Sequence, residues 1–147
     1  MKKTFILALI AISIGNKAFA GPVSIISKTN IHFITAFNKE KNVSWKSNDK
    51  YETVSFIMNN ELIELFYDLD GDLIGKSKVM AFDKLPKNAI ETITTKFQFP
   101  DYQLKDCIAF ENAYEETNYY ISFQTKNETM VVEISKKGNV RLFSTYQ

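Results

Sequence analysis

Two rhythms of apolar residues alternate along the chain. Asn30, Phe33, Ile34 and Phe37 fall at the spacing of one helical face, with Ser27 or Thr29 placed to cap it. The same rhythm returns in Ala89, Ile90, Ile93 and Phe97, where Pro86 suits a first helical position and Pro100 stops the chain. After each of these stretches the period drops to two. The alternation predicts strands at about Val43–Lys46, Tyr51–Asn59, Glu61–Leu69 and Asp72–Ala81, then at Tyr102–Glu111, Asn118–Lys126, Glu128–Lys136 and Asn139–Tyr146. Asn59-Asn60, Lys126-Asn127-Glu128, Asp70-Gly71 and Lys137-Gly138-Asn139 supply the turns between them, because Gly and Asn accept positive φ.

The two halves resemble each other. Sliding the sequence by 67 residues aligns Glu52–Gly75 with Tyr119–Leu142 without a gap, and pairs Ser55 with Ser122, Phe56 with Phe123, Asn60 with Asn127, Glu61 with Glu128 and Gly71 with Gly138. A shift of 60 aligns Phe33 with Ile93 and Phe37 with Phe97, so the second copy carries seven more residues between helix and sheet. This predicts an α+β fold built as a tandem repeat of α-β-β-β-β units, an antiparallel sheet with two helices on one face. The expected organisation is one compact domain, with residues 21–83 as the first repeat and 84–147 as the second.

Alternation also separates the faces. Val54, Phe56, Ile63, Leu65 and Tyr67, with Ile121, Phe123, Met130, Val132 and Ile134, point one way and form the expected core beneath the helices. The opposite face is mixed. It carries Thr53, Ser55 and Glu64, and in the second copy Ser122, Gln124 and Glu133, but also Ile57, Leu62, Phe66, Tyr120 and Val131. Apolar side chains turned away from a core call for another cover. Two covers remain open: the stretch Glu111–Asn118 folded back as a loop, or a protein partner, with Tyr114 and Tyr120 as aromatic anchors.

The first residues form an address. Lys2 and Lys3 precede an apolar run from Phe5 to Ile14, and Ala18-Phe19-Ala20 ends in the small-x-small pattern of a signal-peptidase site. The ten-residue run falls well short of the ~20 that span a bilayer. Residues 1–20 therefore read as a signal peptide cleaved after Ala20. The mature chain starts at Gly21, is periplasmic or secreted, and has no membrane anchor. Without the leader's Lys2, Lys3 and Lys17, the 18 basic against 17 acidic residues become 15 against 17. Neither balance gives the basic footprint of a nucleic-acid-binding protein.

Candidate chemistry is sparse. One Cys and one His exclude an intramolecular disulfide and any Cys/His metal cluster. Cys107 reads as a small buried hydrophobe and His32 as a neighbour of the helical stripe. Trp45 reads as partly buried on the first strand. Asp68-Leu69-Asp70-Gly71-Asp72 has calcium-loop composition, but its glycine stands fourth and Val79 occupies the twelfth position, so it reads as a hairpin turn with solvated carboxylates. No G-x-S-x-G elbow, S-x-x-K pattern or glycine-rich phosphate loop is present, and Glu115-Glu116 are adjacent loop carboxylates. No catalytic residue, metal site or cofactor is expected.

Several short stretches resemble the secreted PepSY-like family, whose members are similar to the β-lactamase-inhibitor fold. They are Asn42-Val43-Ser44-Trp45, Tyr51-x-x-Val54-x-Phe56, Phe66-Tyr67-Asp68-x-Asp70-Gly71-x-Leu73-Ile74, Leu85-Pro86 and Gly138-Asn139-Val140, spread over residues 30 to 146. The second copy departs from the acidic turn with Ser135-Lys136-Lys137-Gly138. The resemblance implies tandem helix-plus-sheet repeats and a small exported, non-enzymatic module that binds a protein partner, inhibiting or modulating a peptidase or β-lactamase-type enzyme. The alternative is a periplasmic carrier or accessory protein for a small ligand such as a peptide, lipid or sugar. The expected partner-binding residues are Ile57, Leu62, Phe66, Tyr114, Tyr120 and Val131.

Overall fold

The computed structural model describes residues 27–37, 40 and 42–147. The signal peptide, the cleavage after Ala20 and the start at Gly21 lie outside the described residues. Among the described residues the chain is α+β, with two α-helices and eight strands. Helix α1 (Ser27–Phe37) precedes β1 (Ser44–Ser47), β2 (Glu52–Met58), β3 (Glu61–Tyr67) and β4 (Leu73–Val79). A 3-10 turn at Phe82–Lys84 and helix α2 (Lys87–Lys96) precede β5 (Gln103–Asn112), β6 (Thr117–Gln124), β7 (Thr129–Ser135) and β8 (Val140–Tyr146). The 3-10 turn, three residues long, is too short to show a period in the sequence.

The chain packs as two compact units. An N-terminal unit comprises residues 27–79 together with Phe110–Glu116, and a C-terminal unit comprises Met80–Ala109 with Thr117–Gln147. In the N-terminal unit β1, β2, β3 and β4 lie in sequence order and pair antiparallel. Phe33 and Phe37 of α1 press onto Val54, Phe56, Ile63, Leu65 and Tyr67. The rings interlock: Phe33 and Phe37 lie 5.4 and 5.1 Å from Phe56, and Trp45 stands edge-on to Phe33 at 5.3 Å. Each such buried side chain contributes about 1.5–3 kcal/mol of transfer free energy. Ile34, expected in the helical stripe, is exposed. The inward face runs Thr29, Phe33, Phe37 at a spacing of four, and Ile34 sits about 100° around the helix from it.

In the C-terminal unit Ala89 and Ile93 of α2 are buried on Ile121, Phe123, Val132 and Ile134, with Leu85 and Cys107 beside them. Burial pushes the Cys107 thiol up to about 11. Strands β5 to β8 again lie in sequence order.

The two units use matching registers. Val54 faces Leu65 and Phe56 faces Ile63 in one; Ile121 faces Val132 and Phe123 faces Met130 in the other. Each helix starts over the turn that follows its unit's third strand. Lys28 lies 2.6 Å from Asp72, and the Asn88 amide donates to the Lys137 carbonyl at 3.0 Å. The turn glycines have φ of 79° at Gly71 and 84° at Gly138. A Cβ at Gly71 would come within 2.9 Å of the Lys28 Cβ, and one at Gly138 would overlap the Asn88 side chain. Glycine is needed at both turns for its φ and for the approach of the helix.

Candidate functional site

The expected partner surface lies on the sheet face away from the helices, and the structure divides it. In the N-terminal unit Ile57 and Leu62 are cross-strand partners at the tip of the β2–β3 hairpin, 48% and 43% exposed. Along the same face Ser55 donates to the Glu64 carboxylate at 3.1 Å. Phe66 follows two residues further along β3 and is buried, with Tyr51 and Phe110 each 6.2 Å away ring to ring. The expected exposure of Phe66 is therefore corrected.

Its cover comes from the end of β5. Phe110 reaches over Phe66 because Gly75, opposite Phe66 on β4, has no side chain. A Cβ on Gly75 would overlap the Glu111 carbonyl and the Phe110 ring. The stretch expected as a long covering loop is instead a tight turn between Asn112 and Thr117. The Asn112 side-chain oxygen accepts the N–H groups of Tyr114 and Glu116 at 2.9 and 3.0 Å, while Ala113 N–H donates to the Ile74 carbonyl at 3.0 Å. The Lys76 ammonium holds Glu111 at 2.8 Å. This turn presents Tyr114, 76% exposed.

In the C-terminal unit the face is closed by polar chemistry. Tyr120 and Val131, both expected as exposed partner contacts, are buried. The Tyr120 ring packs edge-on to Phe143 at 5.3 Å, and its hydroxyl donates to Glu133 Oε1 at 3.3 Å. Burial first, then the Glu133 charge, raises the Tyr120 pKa well above the usual tyrosine value. Glu133 is itself buried. Its Oε1 also accepts from Asn118 at 3.0 Å, and its Oε2 accepts from Arg141 Nε at 2.7 Å and from Arg141 Nη2. Val131 lies opposite Ser122, whose hydroxyl donates to Asp106 at 3.1 Å. Alternation assigns Glu133 and Ser122 to this face. Arg141 is opposite Glu133 only because a bulge between Val131 and Val132 shifts the β7–β8 register, and no sequence signal marks that bulge.

Two grooves also lie in the C-terminal unit. One, of about 520 Å³, is apolar and bounded by Ile93, Phe97, Phe99, Tyr102, Leu104 and Phe123. The other, of about 560 Å³, shares Tyr102 and Gln103 with it and carries Asp101, Lys126 and Glu128. Neither was legible as a site in the sequence, since each is made by the meeting of a helix end, a loop and a hairpin turn.

The remaining candidate groups have structural partners. His32 Nδ1 lies 2.9 Å from the Tyr67 hydroxyl, and burial pushes Tyr67 up to about 12. In the acidic turn the Asp68 carboxylate accepts the N–H groups of Asp70 and Asp72 at 3.0 and 2.8 Å. Among the described residues no three His, Cys, Asp or Glu side chains converge as metal ligands, and no helix is long and apolar enough to cross a membrane.

No family profile matches the sequence, and no curated protein does. Solved structures do match the fold. A Bacteroides eggerthii protein described as periplasmic superposes with a TM-score of 0.70 at 14% identity, over 82% of this chain and 88% of that one. A DUF2874 family protein from Bacteroides uniformis gives 0.69 at 11% identity, over 84% and 94%. A BLIP-like protein from Bacteroides fragilis gives 0.66 at 10% identity, over 82% and 86%. The chain thus has a BLIP-like α+β fold.

Proposed function

We propose that the chain is an exported, non-enzymatic protein-binding module, a tandem duplication of one helix-plus-sheet unit that acts in the periplasm or outside the cell. The single observation that carries this reading is the exposed apolar pair Ile57 and Leu62 on a sheet face, with Tyr114 presented on a tight turn of the same unit. A solvent-facing cross-strand pair of large aliphatics gains nothing from the core and suits a partner's surface. The leader pattern and the fold shared with proteins described as periplasmic and as BLIP-like support export and binding together. Binding would serve to inhibit or modulate an enzyme of peptidase or β-lactamase type.

The test is capture by the mature chain from periplasm and culture medium, and inhibition of purified β-lactamases and secreted peptidases at micromolar concentration. The triple variant Ile57→Ser, Leu62→Ser, Tyr114→Ser is expected to melt within a few degrees of wild type and to lose capture. Capture retained by that variant would refute this surface, and absence of inhibition across the panel would refute the inhibitor role. A second reading, a carrier for a small peptide, lipid or sugar, draws on the apolar groove of the C-terminal unit.

A further inference from the structure

The apolar groove has an internal template. Under the 60-residue shift that relates the helices, Phe33 and Phe37 correspond to Ile93 and Phe97. In the N-terminal unit Phe33 carries the half-buried indole of Trp45 edge-on at 5.3 Å, while Phe37 rests on Phe56. In the C-terminal unit Phe97 rests on Phe123 at a like distance, 5.2 Å, but stacked where the Phe37–Phe56 pair is tilted; the residue corresponding to Phe33 is the smaller Ile93, and both Ile93 and Phe97 line an open groove. Tyr102 also lines it, edge-on to Phe97 at 5.3 Å. Its rim is formed by Phe99 and Leu104, which are 77% and 47% exposed. Phe33 therefore carries an indole at its side, whereas the shorter Ile93, with Phe82 and Tyr102 near it, lines open space.

We propose that this groove receives an aromatic side chain, with tryptophan the best fit, from an extended segment of a partner protein, and that a basic residue two positions along the segment, on the same side of it, lies in the adjoining polar groove. The apolar groove has no charged lining residue, so it offers an ion nothing. The neighbouring groove shares Tyr102 and Gln103 with it and is lined by two acids, Asp101 and Glu128, against one base, Lys126. That imbalance favours a cation beside the aromatic ring. Trp is also the residue most favoured as an interface anchor. This inference rests on the protein-binding reading and on the duplication, and gives them a site and a recognition chemistry.

The experiment titrates the ¹⁵N-labelled mature chain with acetyl-Trp-Gly-Lys-amide, acetyl-Trp-Gly-Glu-amide, acetyl-Ala-Gly-Lys-amide and dodecanoate, read by backbone amide shifts. The Trp-Lys peptide is expected to move amides of residues 97–104 and 123–128, and to bind at least about fivefold more tightly than the other two peptides at low salt. The gap to the Glu peptide should narrow in 0.5 M NaCl as the charges are screened. Leu104→Asp, a change on the exposed rim that leaves the core intact, should weaken binding about fivefold or more. Ile93→Phe, which installs the residue of the other unit, should abolish it. Equal binding of the Ala peptide, tighter binding of dodecanoate, or no shift at these residues would overturn the proposal. If the groove fails while the Ile57, Leu62 and Tyr114 surface still captures a partner, the groove alone is wrong; if capture fails as well, the binding reading falls with it.

Discussion

The two units solve the same packing problem with different chemistry. On the sheet face away from its helix, the N-terminal unit buries a ring: Phe66, opposite Gly75, lies beneath Phe110 and beside Tyr51. Sixty-seven residues later the C-terminal unit has Glu133, opposite Arg141, its carboxylate taking hydrogen bonds from Arg141, Asn118 and Tyr120. Apolar burial is non-directional and tolerates a local change of register. A buried carboxylate needs donors at fixed places, and its loss of solvation is offset only when they are all present. The first solution leaves hairpin-tip aliphatics exposed for use elsewhere, and the second fixes its side chains in one arrangement. The same fold therefore offers an exposed apolar hairpin tip in one half and a buried carboxylate ringed by its donors in the other.

The largest expected effect tests whether the helix-side cores correspond. Phe56→Ala and Phe123→Ala should each cost about 3–5 kcal/mol in denaturant melts, since Phe56 is buried against the helical Phe37 and Phe123 against Phe97, the residue that caps its unit's helix. A variant at either place that melts like wild type would break the correspondence. Gly75→Ala should cost about 1–3 kcal/mol, because the new Cβ meets a backbone carbonyl that cannot rotate away. Arg141→Ala should cost a similar ~1–3 kcal/mol by removing a donor pair from the buried Glu133, with Arg141 itself largely exposed and so screened. If Gly75→Ala were neutral, the ring-under-ring packing of the N-terminal unit would be wrong.

A smaller effect concerns alkaline pH. Burial raises Tyr67 to about 12 and Cys107 to about 11, so the folded chain keeps both protons at a pH where the unfolded chain loses them. Their contribution to stability is fully present below the unfolded values of about 9 for the thiol and 10 for the phenol, and is lost as pH rises through the folded values. Denaturant midpoints should fall between pH 9 and 12, and Cys107→Ala should remove the lower part of that fall. At pH 8 the thiol should react with a disulfide reagent only upon unfolding. Rapid labelling of the native chain would show the C-terminal core to be open.

Much of the fold was legible because periods of 3.6 and 2 are direct readouts of which side chains share a face. Val54, Phe56, Ile121 and Phe123 needed only that parity. The site was less legible for a physical reason. Parity assigns Phe66, Tyr120 and Val131 to the outer face, but what covers a face depends on contacts distant in sequence. Phe110 lies 44 residues beyond Phe66, and no pattern within either strand announces it. Ile57, Leu62 and Tyr114 sit at a hairpin tip and a turn, where little chain is near enough to cover them, and there expectation and exposure agree. The grooves depend on how α2, the loop after it and the β6–β7 turn meet, which no single segment encodes.

The N-terminal unit is not continuous in sequence, and that bears on how a chain made from its N-terminus onward reaches its native state. Residues 27–79 emerge first and have local pairings to make, each strand with its immediate predecessor. The residues that cover Phe66, however, are Phe110–Glu116, and 30 further residues, Met80–Ala109, must exit before them. Until then the outer side of β3 has a bare aromatic ring beside the notch left by Gly75. The half made first is finished late, and for that interval a chaperone or a neighbouring nascent chain has a sticky surface to meet.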